Sequence, residues 1–435
     1  MMKSIFWHRR DLRISDNAGL FKALKCSEDV QPIFIFDRNI LDLLPKNDQR
    51  VLFIYKQITK LKKSYQNLGS DLWVFYGNPL EIIPKLAKEK NFNVVFTNRD
   101  YEPYALERDS KMLELLKDST IEFQGAKDHV IFEKNEVLKD DGKPYTVFTP
   151  YSRKWKSKLN DFYLSSYPVE KYTSKLAKNV SEAEFPTLQE MGFDEDQFFP
   201  FPKESTTNEL IVSYDEKRNF PAIDGTTRLS THLRFGTISI RQLARQARDL
   251  NETFLNELIW RDFYQMIIYH FPHSVKNAFK PVYDRILWEK NEEHYQRWRE
   301  GRTGYPLVDA GMRELNQTGF MHNRVRMVVA SFLTKHLLID WRWGEAYFAE
   351  KLMDFELASN IGGWQWAAGC GCDAAPYFRV FNPTSQQEKF DKNFTYIKKW
   401  VPEYGTSNYA KPIIDHKFAR ERVLERFKTA LNETT

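Results

Sequence analysis

Three features are scarce or missing in this chain of 435 residues, and each absence removes a class of protein. There are only three cysteines, Cys26, Cys370 and Cys372, an odd number that cannot staple a secreted scaffold and falls short of a zinc ligand set. No metal site is expected, and Cys370 and Cys372 read as structural. No apolar run approaches the roughly 18 residues that span a bilayer, and the opening "MMKSIFWHRRDLR" holds too short an apolar stretch for a signal peptide. The expected setting is the cytoplasm, with no membrane partner. No G-x-G-x-x-G follows the first apolar run "KSIFWH", so a standard dinucleotide fingerprint is excluded. Net charge is a modest +5, which permits an anionic partner without requiring one.

Apolar and aromatic residues are plentiful: 42% of the chain is hydrophobic, ample for two or three packed cores, and 15% is aromatic. Eight of the eleven tryptophans lie beyond residue 200. Residues 1–130 alternate short apolar runs ("VQPIFIFD", "DLWVFYG", "FNVVFTN") with amphipathic stretches such as "ALERDSKMLELLKD". This alternation predicts βαβ units and therefore an α/β N-terminal domain on a parallel, Rossmann-like sheet. Residues 131–205 are charged, proline-bearing and weakly periodic, and read as an interdomain connector. From 206 to 435 the apolar period is helical, which predicts an all-α C-terminal domain.

Several stretches of the helical part could carry chemistry. In "DGTTRLSTHLRFG", Thr226, Thr227 and Ser230 follow Gly225 where a helix is expected to begin. Hydroxyls and unpaired N–H groups at such a place suit a phosphate, although an ordinary N-cap is the simpler account. In "NELIWRDFY", Glu257, Trp260 and Arg261 stand at i, i+3 and i+4 and share one helix face, suited to a ligand or to a salt-bridged boundary. In "HNRVRM", Asn323, Arg326 and Met327 repeat that spacing, and two such faces suggest a lined cavity. Asp354 in "MDFELASN" lies in an apolar setting where a carboxylate needs a partner, and Arg326 is the candidate. In "SNIGGWQWAAGCGC", Trp364 and Trp366 at i and i+2 of a helix point about 200° apart and cannot serve one environment. Gly362 and Gly363 before them leave room for close approach by something flat or bulky.

Together these motifs resemble the cryptochrome/photolyase flavoprotein family, most closely its class I cyclobutane pyrimidine dimer photolyases. The likeness runs in family order through "FWHRRDLRISDNAGL", "PYTVFTPYSRKW", "TTRLSTHLRFG", "NELIWRDFY", "GRTGYPLVDAGMRELNQTGFMHNRVRM" and "SNIGGWQWAAGCGCDAAPYFRVFNPTSQQEKFD", with His8 where an aromatic is usual. The resemblance implies a U-shaped FAD in the helical domain. Its diphosphate would rest on Thr226, Thr227, Arg228, Leu229 and Ser230 beside Tyr214, with Arg261 and Glu356 as further contacts. Arg326 and Asp354 would pair beside the flavin ring, and Asn360 would face its N5.

The implied partner is damaged DNA, its pyrimidine dimer flipped into the cavity of a monomeric enzyme. Glu257 would hydrogen-bond the dimer, with Trp260 and Trp366 as apolar walls and Arg261, Asn323 and Met327 completing the pocket. Arg218, Arg324 and Gln386 would meet DNA phosphates. The implied reaction is light-driven electron transfer from reduced FAD, which opens the cyclobutane ring. Trp364, Trp341 and Trp288 would form a relay that reduces the flavin, with Trp298 as the alternative outer member.

Rivals within the family are a blue-light-sensing cryptochrome, which in plants carries Asp where Asn360 stands, and a DASH-type member. Outside it stands a non-catalytic nucleic-acid-binding protein using its aromatics as stacking platforms. The resemblance leaves the second, antenna chromophore unassigned. Folate is disfavoured because Tyr104-Ala105 stand where folate-binding relatives carry another pair, leaving a deazaflavin, another flavin or none.

Overall fold

Residues 2–117, 119–178 and 184–432 are described by the structure, a computed structural model. Positions 179–183, within the expected connector, lie outside the described residues.

The short apolar runs of the N-terminal part pair into one parallel sheet. β1 (Lys3–His8), β2 (Asp29–Asp37), β3 (Trp73–Gly77), β4 (Val94–Asn98) and β5 (Glu122–Ala126) lie in the order β3-β2-β1-β4-β5. Ile5 of β1 faces Gln31 of β2 on one side and Val95 of β4 on the other. The central strands are buried on both faces, which is why they read as continuous rather than alternating apolar runs. Helices α1 (Ala18–Cys26), α2 (Gln49–Asn67), α3 (Pro79–Glu89) and α4 (Pro103–Lys117) alternate with the strands. Ile83, Leu86, Met112 and Leu116 from α3 and α4 close a core against Ile5, Trp7, Ile33 and Val95.

The loop after β1 consumes its own polar groups where a glycine fingerprint would leave N–H groups open. Asp11 accepts hydrogen bonds from the side chains of Asn17 at 2.9 Å and Asn98 at 2.7 Å. Arg13 and Arg241 each reach the buried Asp128 at 2.8 Å, and these two guanidiniums hold its carboxyl well below the usual carboxylate range despite burial.

The chain forms two compact units. The first comprises Met1–Glu136, Lys156–Ser205 and Arg228–Asp249, and the second Val137–Trp155, Thr206–Thr227 and Leu250–Thr435. Between 131 and 205 the described residues form α5 (Phe148–Lys158) and a 3₁₀ stretch at Val169–Lys175, and Leu176 bridges to Val30. The second unit is helical. Its principal elements are α6 (Glu252–His270), α7 (Glu292–Arg299), α8 (Pro306–Thr318), α9 (Asn323–Ser331), a π-helical turn at Phe332–His336, α10 (Trp341–Lys351), α11 (Leu357–Ala368), α12 (Pro383–Phe390) and α13 (His416–Asn432). Trp298, Val308, Met312, Val329, Leu333, Phe348 and Trp364 form the centre of its core. No helix among the described residues is long and apolar enough to cross a membrane.

Candidate active site

Helix α11 packs against α6, α9 and α10, and so gathers most of the residues singled out in the sequence. Helix α6 starts at Asn251, whose side-chain oxygen caps the Phe254 N–H at 3.0 Å while its amide reaches Val212 and Asp215. From that start the helical period places Glu257, Trp260 and Arg261 on one face. Glu257 accepts a hydrogen bond from Arg218; burial pushes its carboxyl up, and Arg218 pulls it back. The Arg218 guanidinium also lies 5.4 Å over the ring of Tyr214, which packs at 5.0 Å on Phe254. Arg218 is thus anchored to Glu257 and Tyr214 while it remains half-buried.

Trp260 is stacked face to face on Phe148, with centroids 3.7 Å apart and planes within 3°. Phe148 opens α5, and its N–H donates to the Asp373 carboxylate at 3.0 Å. Asp373 has φ +46°, a left-handed conformation that aims its side chain back at α5.

Two arginine–carboxylate pairs follow. Arg326 grips Asp354 at 2.9 and 3.1 Å and donates from Nε to the Met321 carbonyl at 2.7 Å, so Asp354 has the partner its apolar surroundings demand. Arg261 meets Glu356 at 3.2 Å, and Ser359 donates to the other Glu356 oxygen at 2.9 Å. Arg324 donates to Asn219 at 2.6 Å and lies 4.4 Å over Phe390. Burial and the nearby Arg218 both lower the pKa of Arg324, a sign that two cations sit close together. Asn323 is exposed in the first turn of α9, and Met327 and Gln386 are half-buried.

On α11, Asn360 donates its amide to both the backbone carbonyl (3.1 Å) and the carboxylate (2.9 Å) of Glu345. Its Oδ1 accepts no hydrogen bond from the described residues. Burial pushes the Glu345 carboxyl up, while Asn360 pulls it down. Trp364 is buried against Trp298 and Phe348, whereas Trp366 is half-buried beside Phe381. The two indoles occupy different environments, as their spacing requires.

The glycines differ as well. A Cβ on Gly362 would lie 2.2 Å from the Tyr264 ring, so the flat group that Gly362 admits is a tyrosine, whereas Gly363 faces nothing within 4 Å. Burial pushes the Cys370 and Cys372 thiols up to about 12.

Of the expected relay, Trp341 is buried with the Arg342 guanidinium 4.8 Å over its ring, and Trp288 is half-buried 6.0 Å from Phe427. Trp298 is fully buried. A ring with no exposed surface cannot be the solvent end of a relay.

The run Thr226 to Ser230 crosses the unit boundary, with Thr226 and Thr227 in the second unit and Arg228, Leu229 and Ser230 in the first. Ser230 begins a short helix whose N-cap is Leu229, without a side-chain cap hydrogen bond. The cap position of this helix is thus a leucine, which has no hydroxyl to offer.

Sequence reasoning missed Phe148, Glu345 and the contact of Trp298 with Trp364. The "PYTVFTP" stretch and the close run of Trp341, Trp343, Gly344 and Glu345 were visible, but only the fold joins them to Trp260, Asn360 and Trp364. Within the second unit, the Arg326–Asp354 pair, an Asn360 oxygen without a partner, the Arg261–Glu356 pair and the hydroxyl of Tyr214 offer the mixture of donors and acceptors that FAD requires, and these residues fit it.

Two family models match the chain: "DNA photolyase" over residues 4–171 and "FAD binding domain of DNA photolyase" over residues 254–408. A deoxyribodipyrimidine photo-lyase of Synechococcus sp. is 37% identical, covering 99% of this chain and 96% of the relative. A class III photolyase from Agrobacterium tumefaciens superposes with TM-score 0.87 at 31% identity, over 99% of this chain and 98% of that one. An archaeal photolyase from Sulfolobus tokodaii, solved with two FAD molecules, superposes with TM-score 0.83 at 34% identity, over 98% and 100%. The chain belongs to the DNA photolyase family.

Proposed function

We infer that this protein is a deoxyribodipyrimidine photo-lyase, which binds FAD and splits cyclobutane pyrimidine dimers in damaged DNA under light. The observation that carries the reading is 37% identity over 99% of the chain to a relative of that name. The polar groups of the second unit supply what such a reaction asks of a protein.

Bound in its reduced form, FAD supplies the photoexcited electron donor. The chain's own residues bind, orient and keep water out. Arg326 and Asp354, which neutralise each other, would hold the flavin ring, and Asn360, its amide held by Glu345, would offer its Oδ1 to it. Glu257 keeps one oxygen on Arg218 and would offer the other to a polar group of the dimer; burial raises its pKa and Arg218 lowers it. Trp260, braced by Phe148, and Trp366 form the apolar walls around the flipped dimer. Flipping costs least at a lesion that is already poorly stacked. Tyr214, Thr226, Thr227, Arg261 and Glu356 would hold the rest of the cofactor, Asn323 and Met327 would close the pocket, and Arg218, Arg324 and Gln386 would meet DNA phosphates.

The test uses the purified protein and DNA bearing thymine dimers. Flavin absorbance and light-dependent dimer loss are expected, and Glu257→Ala should retain flavin while repair falls by about tenfold, the effect of one lost hydrogen bond near a charge. A colourless protein that binds DNA and repairs nothing under light overturns the reading.

A further inference from the structure

The guanidinium of Arg324 is short of acceptors. Its planar fork carries several N–H donors, yet Asn219 Oδ1, 2.6 Å from Nη2, is the one oxygen it reaches among the described residues. Nη1 points at the thioether sulfur of Met327, further along α9, at 3.7 Å, and Nε is buried with no acceptor among the described residues. A thioether accepts only weakly. The cation is therefore held mainly by Asn219 and by the Phe390 ring, 4.4 Å away.

Met327 is also unusual among the methionines. Met112, Met191, Met266, Met312, Met321 and Met353 are buried, and among the described residues only Met2 and Met327 are half-buried. A dissolved oxidant meets a half-exposed thioether far more readily than one enclosed by packing, so chemistry at sulfur should concentrate on Met327 within the second unit.

We propose that Met327 is a peroxide-sensitive modification site whose sulfoxide captures the Arg324 guanidinium and thereby weakens binding to DNA. The loss of affinity rests on the reading of Arg324 as a phosphate contact, whereas the site itself rests on one accessible sulfur and the unfilled donors beside it.

The co-reactant is hydrogen peroxide. A lone pair of the Met327 sulfur attacks one peroxide oxygen, and an S–O bond forms as the O–O bond breaks. The departing hydroxide takes the proton from the transferred oxygen and leaves as water, so sulfur is oxidised and peroxide is reduced by the same electron pair. The added oxygen closes much of the gap to Nη1 and puts a strong acceptor where a weak one stood. A guanidinium that gives its N–H groups to this oxygen has fewer left for a phosphate. The change is reversible, because thiol-dependent reductases return the sulfoxide to the thioether.

The test treats the purified protein with hydrogen peroxide, maps sulfoxides by peptide mass spectrometry, and measures binding to a short duplex carrying a thymine dimer over a range of salt. Sulfoxide is expected at Met327 well before the buried methionines. Affinity should fall by about tenfold, the worth of one charge-assisted hydrogen bond. The slope of log affinity against log salt should become shallower by about 0.9, the contribution of one phosphate. A methionine sulfoxide reductase with dithiothreitol should restore binding and dithiothreitol alone should not, which separates Met327 from the exposed Cys26. Compared as treated against untreated protein, the loss should vanish in Met327→Leu and shrink severalfold in Arg324→Gln. Sulfoxide spread evenly over the methionines, unchanged affinity once Met327 is oxidised, or a parental loss in either variant overturns the proposal. Sulfoxide at Met327 in a protein that binds no dimer before treatment would support the site and refute the proposed function instead.

Discussion

Two adjacent glycines on α11 should respond to the same substitution with opposite signs. In Gly362→Ala the new Cβ would sit 2.2 and 2.3 Å from two carbons of Tyr264, far inside van der Waals contact. Tyr264 cannot simply swing away, because it is flanked by Trp260 at 5.4 Å and Phe263 at 5.8 Å. Overpacking of this kind costs about 1–3 kcal/mol, against the roughly 0.5–1 kcal/mol that Ala gains over Gly inside a helix. The net expectation is a loss of about 1–2 kcal/mol. Gly363 faces nothing within 4 Å and is exposed, so Gly363→Ala collects the helix gain alone, roughly 0.5–1 kcal/mol. Urea unfolding of the flavin-free protein, followed by helical circular dichroism, should show the Gly362→Ala midpoint falling and the Gly363→Ala midpoint rising, both with unchanged slope. Midpoints that move in the same direction would refute the assignment of Gly362 to helix packing and Gly363 to open space.

Other expectations follow from buried charges. Asp354→Asn leaves Arg326 without its counter-charge, which should cost about 1–3 kcal/mol and reduce the flavin retained on purification; full occupancy at parental stability would show the pair to be dispensable. His336 is fully buried with its Nε2 at 2.8 Å from His416, and burial, helped by His416 and Arg422, pushes its pKa from 6.5 down to about 3. Because the unfolded chain takes up this proton first, the contribution is intact above pH 6.5 and is lost as pH falls toward 3. The slope is at most about 1.4 kcal/mol per pH unit. His336→Phe should flatten the stability–pH curve over that range, and an equally steep curve would show that other groups govern it.

Local signals in the sequence were strong wherever the answer depended on neighbours along the chain. The buried parallel strands, the shared face of Glu257, Trp260 and Arg261, and the divergence of Trp364 from Trp366 all follow from periodicity. Even the Arg326–Asp354 pair was legible, because a carboxylate in an apolar segment demands a cation and few arginines were at hand. Contacts that only the fold creates were not legible. Phe148 meets Trp260 from over a hundred residues away, and nothing in "PYTVFTP" announces a stacking partner. Glu345 meets Asn360 because α10 packs on α11. Helical periodicity in residues 240–249 marks the type of element but not the core it joins, and these residues cluster with the sheet-containing unit.

The hydrogen bond from the Phe148 N–H to Asp373 carries a mechanical consequence. Asp373 stands seven residues beyond Trp366, while Phe148 is the ring on which Trp260 rests. One carboxylate therefore works as the crossbar of a caliper whose two jaws are the indoles proposed to bracket the dimer. The Asp373 carboxylate thus couples the loop that follows Trp366 to the ring that backs Trp260, so that a shift in one is felt by the other.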